Sequence, residues 1–170
     1  MADSAPIILT AQMGPADQKW ADALRAAYFP PERNFLSAHI TLFHHLPPDQ
    51  LQEIKALVAR LAGEYRPPAA ELAELISLGR GVAFRIHSPE LVAIRAEMAS
   101  AFKGLLTPQD NASPRLHITI QNKVDPSIAR DLREKLARDF KPRPLQVTGL
   151  AAFYYRGGPW DAISRWAFRG

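Results

Sequence analysis

Two stretches, "AHITLFHHLP" at residues 38–47 and "RLHITIQNKV" at residues 115–124, each place a His-Ile-Thr triplet inside an apolar run of strand length. Side chains alternate along a strand, so His39, Thr41, Phe43 and His45 are expected on one face and Ile40, Leu42, His44 and Leu46 on the other. In the second stretch His117, Thr119, Gln121 and Lys123 oppose Leu116, Ile118 and Ile120. Its apolar face requires a helix over it. The polar face then looks onto an open or solvated space.

The surroundings of the triplets repeat as well. "HITLFHHLPPDQLQEIKALV" (39–58) and "HITIQNKVDPSIARDLREKL" (117–136) share one plan at an offset of 78 residues: strand, proline-containing turn, amphipathic helix. A pair of strands around an Arg-Gly turn comes after each, at Arg80-Gly81 and at Arg156-Gly157. Working outward, the patterns predict strands over 5–13, 36–44, 72–77, 82–87 and 115–124, with two last strands flanking "YYRGGPW". Helices are expected over 16–28, 51–65, 89–105 and from 127 to about 140, with Ser88 capping the third and "TPQDNASP" (107–114) forming a polar loop. The fold class read from this is α+β: one bilobal, internally duplicated domain over 1–170, with antiparallel-rich sheets around a central cleft and helices on the outer faces. The lobes are drawn around 36–88 and 115–169, with strand 5–13 and helices 16–28 and 89–105 packed on them.

Composition narrows the functional classes. Of 170 residues 47% are hydrophobic and 22% charged, which is ordinary globular chemistry rather than disorder. The net charge of +4 favours anionic partners such as phosphates or RNA. No cysteine is present, which removes disulfides, thiolate metal sites and cysteine nucleophiles. The first residues lack the basic start of a secretory signal, and no apolar run reaches the ~18 residues of a membrane span, so a cytoplasmic protein without membrane contact is expected. No glycine-rich phosphate loop leads into a helix, and no serine-hydrolase elbow occurs.

Two histidines and two hydroxyls facing one another across a cleft suit in-line displacement at a phosphodiester. One imidazole takes a proton from the attacking oxygen and the other protonates the leaving oxygen. A side chain with an ordinary pKa of ~6.5 supplies both forms near neutrality. A threonine ~6 to 7 Å along the strand from its histidine can donate to a non-bridging phosphate oxygen. A shared metal does not fit, because the six-residue step from His39 to His45 spans ~20 Å of strand. His44 is expected on the far face as a covering residue, His45 at the cleft rim and His87 in a loop. Tyr154 and Arg156 are candidates for base stacking and phosphate contact, Arg80 occupies the matching turn, and Phe43 is placed as a cleft wall. Arg115 and Lys123 add positive charge on the His117 side, whereas Arg130, Arg133, Lys135 and Arg138 alternate with acids as a solvated helix face.

"HITL" at 39–42 and "HITI" at 117–120 resemble the paired H-x-T/S-x motifs of the two-histidine phosphoesterase superfamily, which includes 2′-5′ RNA ligase-like proteins and cyclic phosphodiesterases. The resemblance covers nearly the whole chain. It implies a bilobal pseudo-twofold fold, metal-independent action on 2′,3′-cyclic phosphates or 2′-5′ linkages, catalytic roles for His39 and His117, and phosphate contacts from Thr41 and Thr119. The expected partner is an RNA end or a nucleotide cyclic phosphate, with no cofactor, no metal and a monomeric chain. The alternatives are a nucleotide or RNA binding module of the same fold with little catalysis, and a structural protein in which the repeated histidines are incidental.

Overall fold

The computed structural model describes residues 3–170. Eight strands and five helices succeed one another as β1 (Ile7–Met13), α1 (Pro15–Tyr28), β2 (Ile40–Leu46), α2 (Leu51–Glu64), β3 (Ala70–Ser77), β4 (Val82–His87), α3 (Pro89–Ala101), α4 (Pro108–Asn111), β5 (His117–Gln121), α5 (Pro126–Ala137), β6 (Arg143–Leu145), β7 (Val147–Tyr154) and β8 (Asp161–Ala167). The strands form two four-stranded sheets, ordered β2-β1-β7-β8 and β5-β4-β3-β6, in which every pairing is antiparallel. Among the described residues no helix is long and apolar enough to cross a membrane.

The chain runs strand, helix, H-x-T strand, helix, strand twice: β1-α1-β2-α2-β3 and then β4-α3-β5-α5-β7. The last strand of each unit joins the sheet of the other, so that β3 pairs with β4 and β7 with β1. The lobes drawn along the sequence at 36–88 and 115–169 are therefore not the units from which the sheets are built. Leu78–Gly81 is too short to do anything but fold β3 back on β4, and β4 opens the second unit. Gly79 supplies the left-handed step of that turn at φ +82°, and a Cβ on Gly81 would collide with the Gln121 carbonyl oxygen. The turn thereby seats against the end of β5.

Helix termini obey the sequence signals. Proline opens α1, α3, α4 and α5 at the first helical position, and the Ser88 hydroxyl accepts from the Leu91 N–H at 3.1 Å. The stretch read as a polar loop instead holds the one-turn α4, capped by Thr107, and β6 was without a sequence signal. A three-residue strand containing proline carries too little pattern to read. The apolar side of the β5 sheet is covered by α1 and α5, where Trp20 meets Phe84 at 5.0 Å and Phe84 meets Phe140 at 5.3 Å. On the β2 sheet α2 packs against β7 and β8, and Phe102 after α3 meets Phe43 edge-on at 6.4 Å. Ile40, Leu42, Phe43, Ile118 and Ile120 are all buried in the resulting core, each worth about 1.5–3 kcal/mol in water-to-core transfer.

Candidate functional site

Each motif strand carries a bulge directly after its threonine. In β2 Thr41 lies opposite Thr10 but Phe43 opposite Leu9, so Leu42 is the extra residue. In β5 Thr119 lies opposite Ala83 and Gln121 opposite Val82, so Ile120 is the extra residue. A bulge breaks the two-residue alternation and re-aims the side chains beyond it. Phe43 and Gln121, both expected on the cleft face, are turned into the core and are 0% and 3% exposed. Phe43 is thus no cleft wall, and the Gln121 Oε1 is left without a partner.

The bulges are held from beneath by two buried arginines, each sent from one unit to the motif strand of the other. Arg95 of α3 donates from Nε to the Leu42 carbonyl at 2.7 Å, and from Nη2 to the Asp110 carbonyl at 2.6 Å. Arg25 of α1 donates from Nη1 to the Thr119 carbonyl at 3.0 Å and from Nε to Asn34 Oδ1 at 3.1 Å. Each guanidinium also lies over an aromatic ring, Phe43 at 4.4 Å for Arg95 and Phe29 at 4.2 Å for Arg25. Two positive charges consequently sit behind the paired motifs.

The two motif imidazoles are held alike. His39 Nδ1–H donates to the Ser37 carbonyl at 2.8 Å, and His117 Nδ1–H to the Arg115 carbonyl at 2.6 Å. A carbonyl can only accept, so in each neutral ring the proton is on Nδ1 and Nε2 keeps its lone pair. His39 precedes β2 rather than lying within the expected 36–44 strand. Its segment is tied instead to α1, where Asp22 accepts from the Ala38 N–H at 2.7 Å and Gln18 donates to the Ala38 carbonyl at 2.8 Å. Burial pushes the His39 pKa down to about 4, opposed by the Ser37 carbonyl and reinforced by the charges of Arg25, His117 and His44. His44 thus lies within the electrostatic field of both motif histidines. Its own pKa is lowered by burial, raised by Asp110, and lowered by His117 and Arg95.

His44 was expected on the far face, and the bulge at Leu42 reverses that. The reversal is locked by Asp110, 1% exposed, whose Oδ1 accepts from the His44 N–H at 2.7 Å and Oδ2 from the His45 N–H at 2.8 Å. Nothing in "TPQDNASP" marks Asp110 out, because its partners lie 65 and 66 residues away.

A cavity of about 460 Å³ opens beside His39 on the cleft face of the β2 sheet, lined by Thr10, Phe35, Phe153, Trp160 and Arg165 among others. The Trp160 ring lies 4.5 Å from the His39 ring and 5.4 Å from Phe153. Trp160 and Phe153 thus hold the position expected for Tyr154, whose side chain packs on the core. Strand β7 presents Ala151 and Phe153 to the cavity, so the face that carries Tyr154 is the one turned away from it. Arg156, expected as a phosphate contact, is engaged by Asp3 and Asp161 and lies 4.9 Å over the Tyr154 ring. Its neighbouring carboxylates raise its pKa further. Arg80 donates from Nε to the Val124 carbonyl at 3.1 Å, which ties the β3–β4 turn to the one after β5. His87, expected in a loop, ends β4. Among the described residues no three His, Asp or Glu side chains are grouped so as to hold a metal ion.

The family model of the 2′-5′ RNA ligase superfamily matches residues 14–159, which span both motifs. The chain belongs to this superfamily. Solved structures share the fold of this 2′-5′ RNA ligase superfamily member at low identity. TT0787 of Thermus thermophilus is 16% identical with a TM-score of 0.67, over 97% of this chain and 98% of that one. A structure described as a phosphoesterase is 22% identical with a TM-score of 0.61, over 99% and 100%. LigT of E. coli in complex with 3′-AMP is 19% identical with a TM-score of 0.58, also over 99% and 100%. No curated protein matches the chain in sequence.

Proposed function

We propose that the protein is a metal-independent phosphoesterase that acts on 2′,3′-cyclic phosphates or 2′-5′ phosphodiester bonds of RNA ends or nucleotides. The observation that carries this reading is the identical presentation of His39 and His117, each with Nδ1–H bound to a carbonyl two residues back and Nε2 left for substrate. His39, neutral through its burial, is the base at a 2′-5′ link: its Nε2 takes the proton of the attacking ribose hydroxyl, and the two imidazoles exchange roles when water opens a cyclic phosphate. His117 is then the acid and gives its Nε2 proton to the departing ribose oxygen. Thr41 and Thr119 donate to the non-bridging oxygens, and the charges of Arg25 and Arg95 behind the motif strands favour the anionic transition state. The aromatic cavity of Phe153 and Trp160 receives the base adjoining the reacting phosphate. Structures of the E. coli relative LigT in complex with 3′-AMP, NADP+ and ATP support a nucleotide as ligand.

The test is turnover of a 2′,3′-cyclic nucleotide and of cyclic-phosphate-ended RNA in the presence of EDTA. Both substrates are expected to be opened by the unsubstituted chain and by neither His39→Ala nor His117→Ala. Activity that survives both substitutions, or that disappears with EDTA, overturns the mechanism. Nucleotide binding without any turnover favours a binding module.

A further inference from the structure

A second cavity, of about 490 Å³, lies on the other side of the motifs, on the cleft face of the β5 sheet. It occupies the position that the first cavity occupies in the other unit. The first is bounded by the end of β1, the start of α1 and residues 35–39 before β2; the second by the end of β4, the start of α3 and residues 114–116 before β5. Its chemistry is different. In place of tryptophan and phenylalanine its lining has the aliphatic floor of Ile76 and Val92, together with Arg85 and Arg115.

The ladder fixes its distance from the chemistry. Arg85 is the direct cross-strand partner of His117 and shares its face, and Arg115 supplies the carbonyl that holds the His117 ring. The cavity therefore begins one strand spacing, ~4.8 Å, from the acid of the proposed reaction. Arg85 donates to Glu74 at 2.8 Å in an exposed pair. Pairs of that kind hold weakly, so a phosphate can take the guanidinium over. Arginine forks match phosphate oxygens, while an aliphatic floor suits the flat, weakly polar body of a nucleoside.

We infer that this cavity is a second nucleotide subsite, which binds the nucleotide on the far side of the reacting phosphate and favours one that carries a phosphate of its own. The inference rests on the proposed phosphoesterase reading and adds a substrate class to it: a chain of at least two nucleotides with a terminal phosphate, one nucleoside per cavity. The chemistry is unchanged. For a 2′-5′ link, the neighbouring 3′-oxygen attacks phosphorus and loses its proton to His39. The 5′-oxygen leaves with the proton of His117, giving a cyclic phosphate and a 5′-hydroxyl without water or cofactor.

The experiment compares a 2′-5′-linked dinucleotide bearing terminal phosphates with its dephosphorylated counterpart, by KM and kcat and by calorimetric binding. For the unsubstituted chain the phosphorylated form is expected to show a KM and Kd about tenfold lower. Arg85→Gln is expected to remove that difference while opening a 2′,3′-cyclic mononucleotide at the unsubstituted rate. Val92→Trp, which fills the floor without touching the Arg85–Glu74 pair, is expected to weaken both dinucleotides and spare the mononucleotide. Equal affinity for the two dinucleotides, or a preference that survives Arg85→Gln, overturns the inference. If neither the dinucleotides nor the 2′,3′-cyclic mononucleotide is turned over, the phosphoesterase reading fails, and the calorimetric preference and its loss in Arg85→Gln still decide the subsite.

Discussion

The two ends of the cleft are built on one plan and lined by different chemistry. At the His39 end the walls are Trp160, Phe153 and Phe35, the last 60% exposed; at the His117 end they are aliphatic with two arginines. Between these ends the two units agree closely. Each has a histidine clamped to the carbonyl two residues back, a threonine, a bulge at the next residue and a buried arginine from the opposite unit on a carbonyl at or beside the bulge. Symmetry is kept around the paired histidines and threonines, and it is relaxed in the two cavities on either side of them.

The largest effect is expected at the histidines. His39→Ala and His117→Ala are each expected to lower kcat on a cyclic phosphate by about 10²–10⁴-fold, and a loss confined to one of them in steady-state rates would make the centre asymmetric after all. Next comes the support of the bulges. Asp110→Ala strips the partners of the His44 and His45 N–H groups and is expected to cost about 3 kcal/mol in denaturant unfolding, whereas the β5 bulge has no such carboxylate among the described residues. A similar loss from an exposed control such as Asp131→Ala would remove the distinction.

Trp160→Ala sharpens the aromatic end. It is expected to raise KM about tenfold through lost stacking. It also exposes the His39 ring, so the pKa now pushed down to about 4 moves back up and the acid limb of kcat/KM shifts to higher pH. A profile that stays in place would separate His39 from that limb. The sign for stability comes from the same group. The unfolded ring binds a proton that the folded one refuses, so stability is full above the ordinary histidine value near ~6.5 and falls as pH drops toward about 4. His39→Asn is expected to flatten that part of a urea-midpoint against pH curve. The smallest effect belongs to Arg156→Gln. With its guanidinium committed to Asp3 and Asp161, kcat and KM are expected to stay within about twofold, and a larger rise in KM would restore the residue as a phosphate ligand.

Much of this was legible in the residues alone. The H-x-T pairing, the α+β class and the order of most elements come from short-range periodicity, caps and turns, which act over a few residues and are written where they act. The Ser88 cap and the proline-led helices are of that kind. The side on which a residue falls was legible only as far as the alternation held. The bulge after each motif threonine, followed in β2 by a second register shift between Phe43 and Leu46, sent Phe43 and Gln121 inward and His44 toward the other histidines, and a bulge leaves no mark in an apolar run.

The remaining features are long-range. Asp110 is one acid in a polar segment until the fold brings it under two amides of β2. Trp160 is a loop aromatic until the β7–β8 turn carries it onto His39. The crossing of β3 and β7 between sheets, and of Arg25 and Arg95 beneath them, joins residues whose neighbours in sequence say nothing of one another. Which chemistry the chain holds was thus present in a triplet written twice, since histidine and threonine bring their proton and hydroxyl wherever they stand. Which side chains face the cleft, which imidazole is kept neutral by burial and what lies at either end of the cleft depend on burial and distance, and those exist only once the two units have exchanged their strands.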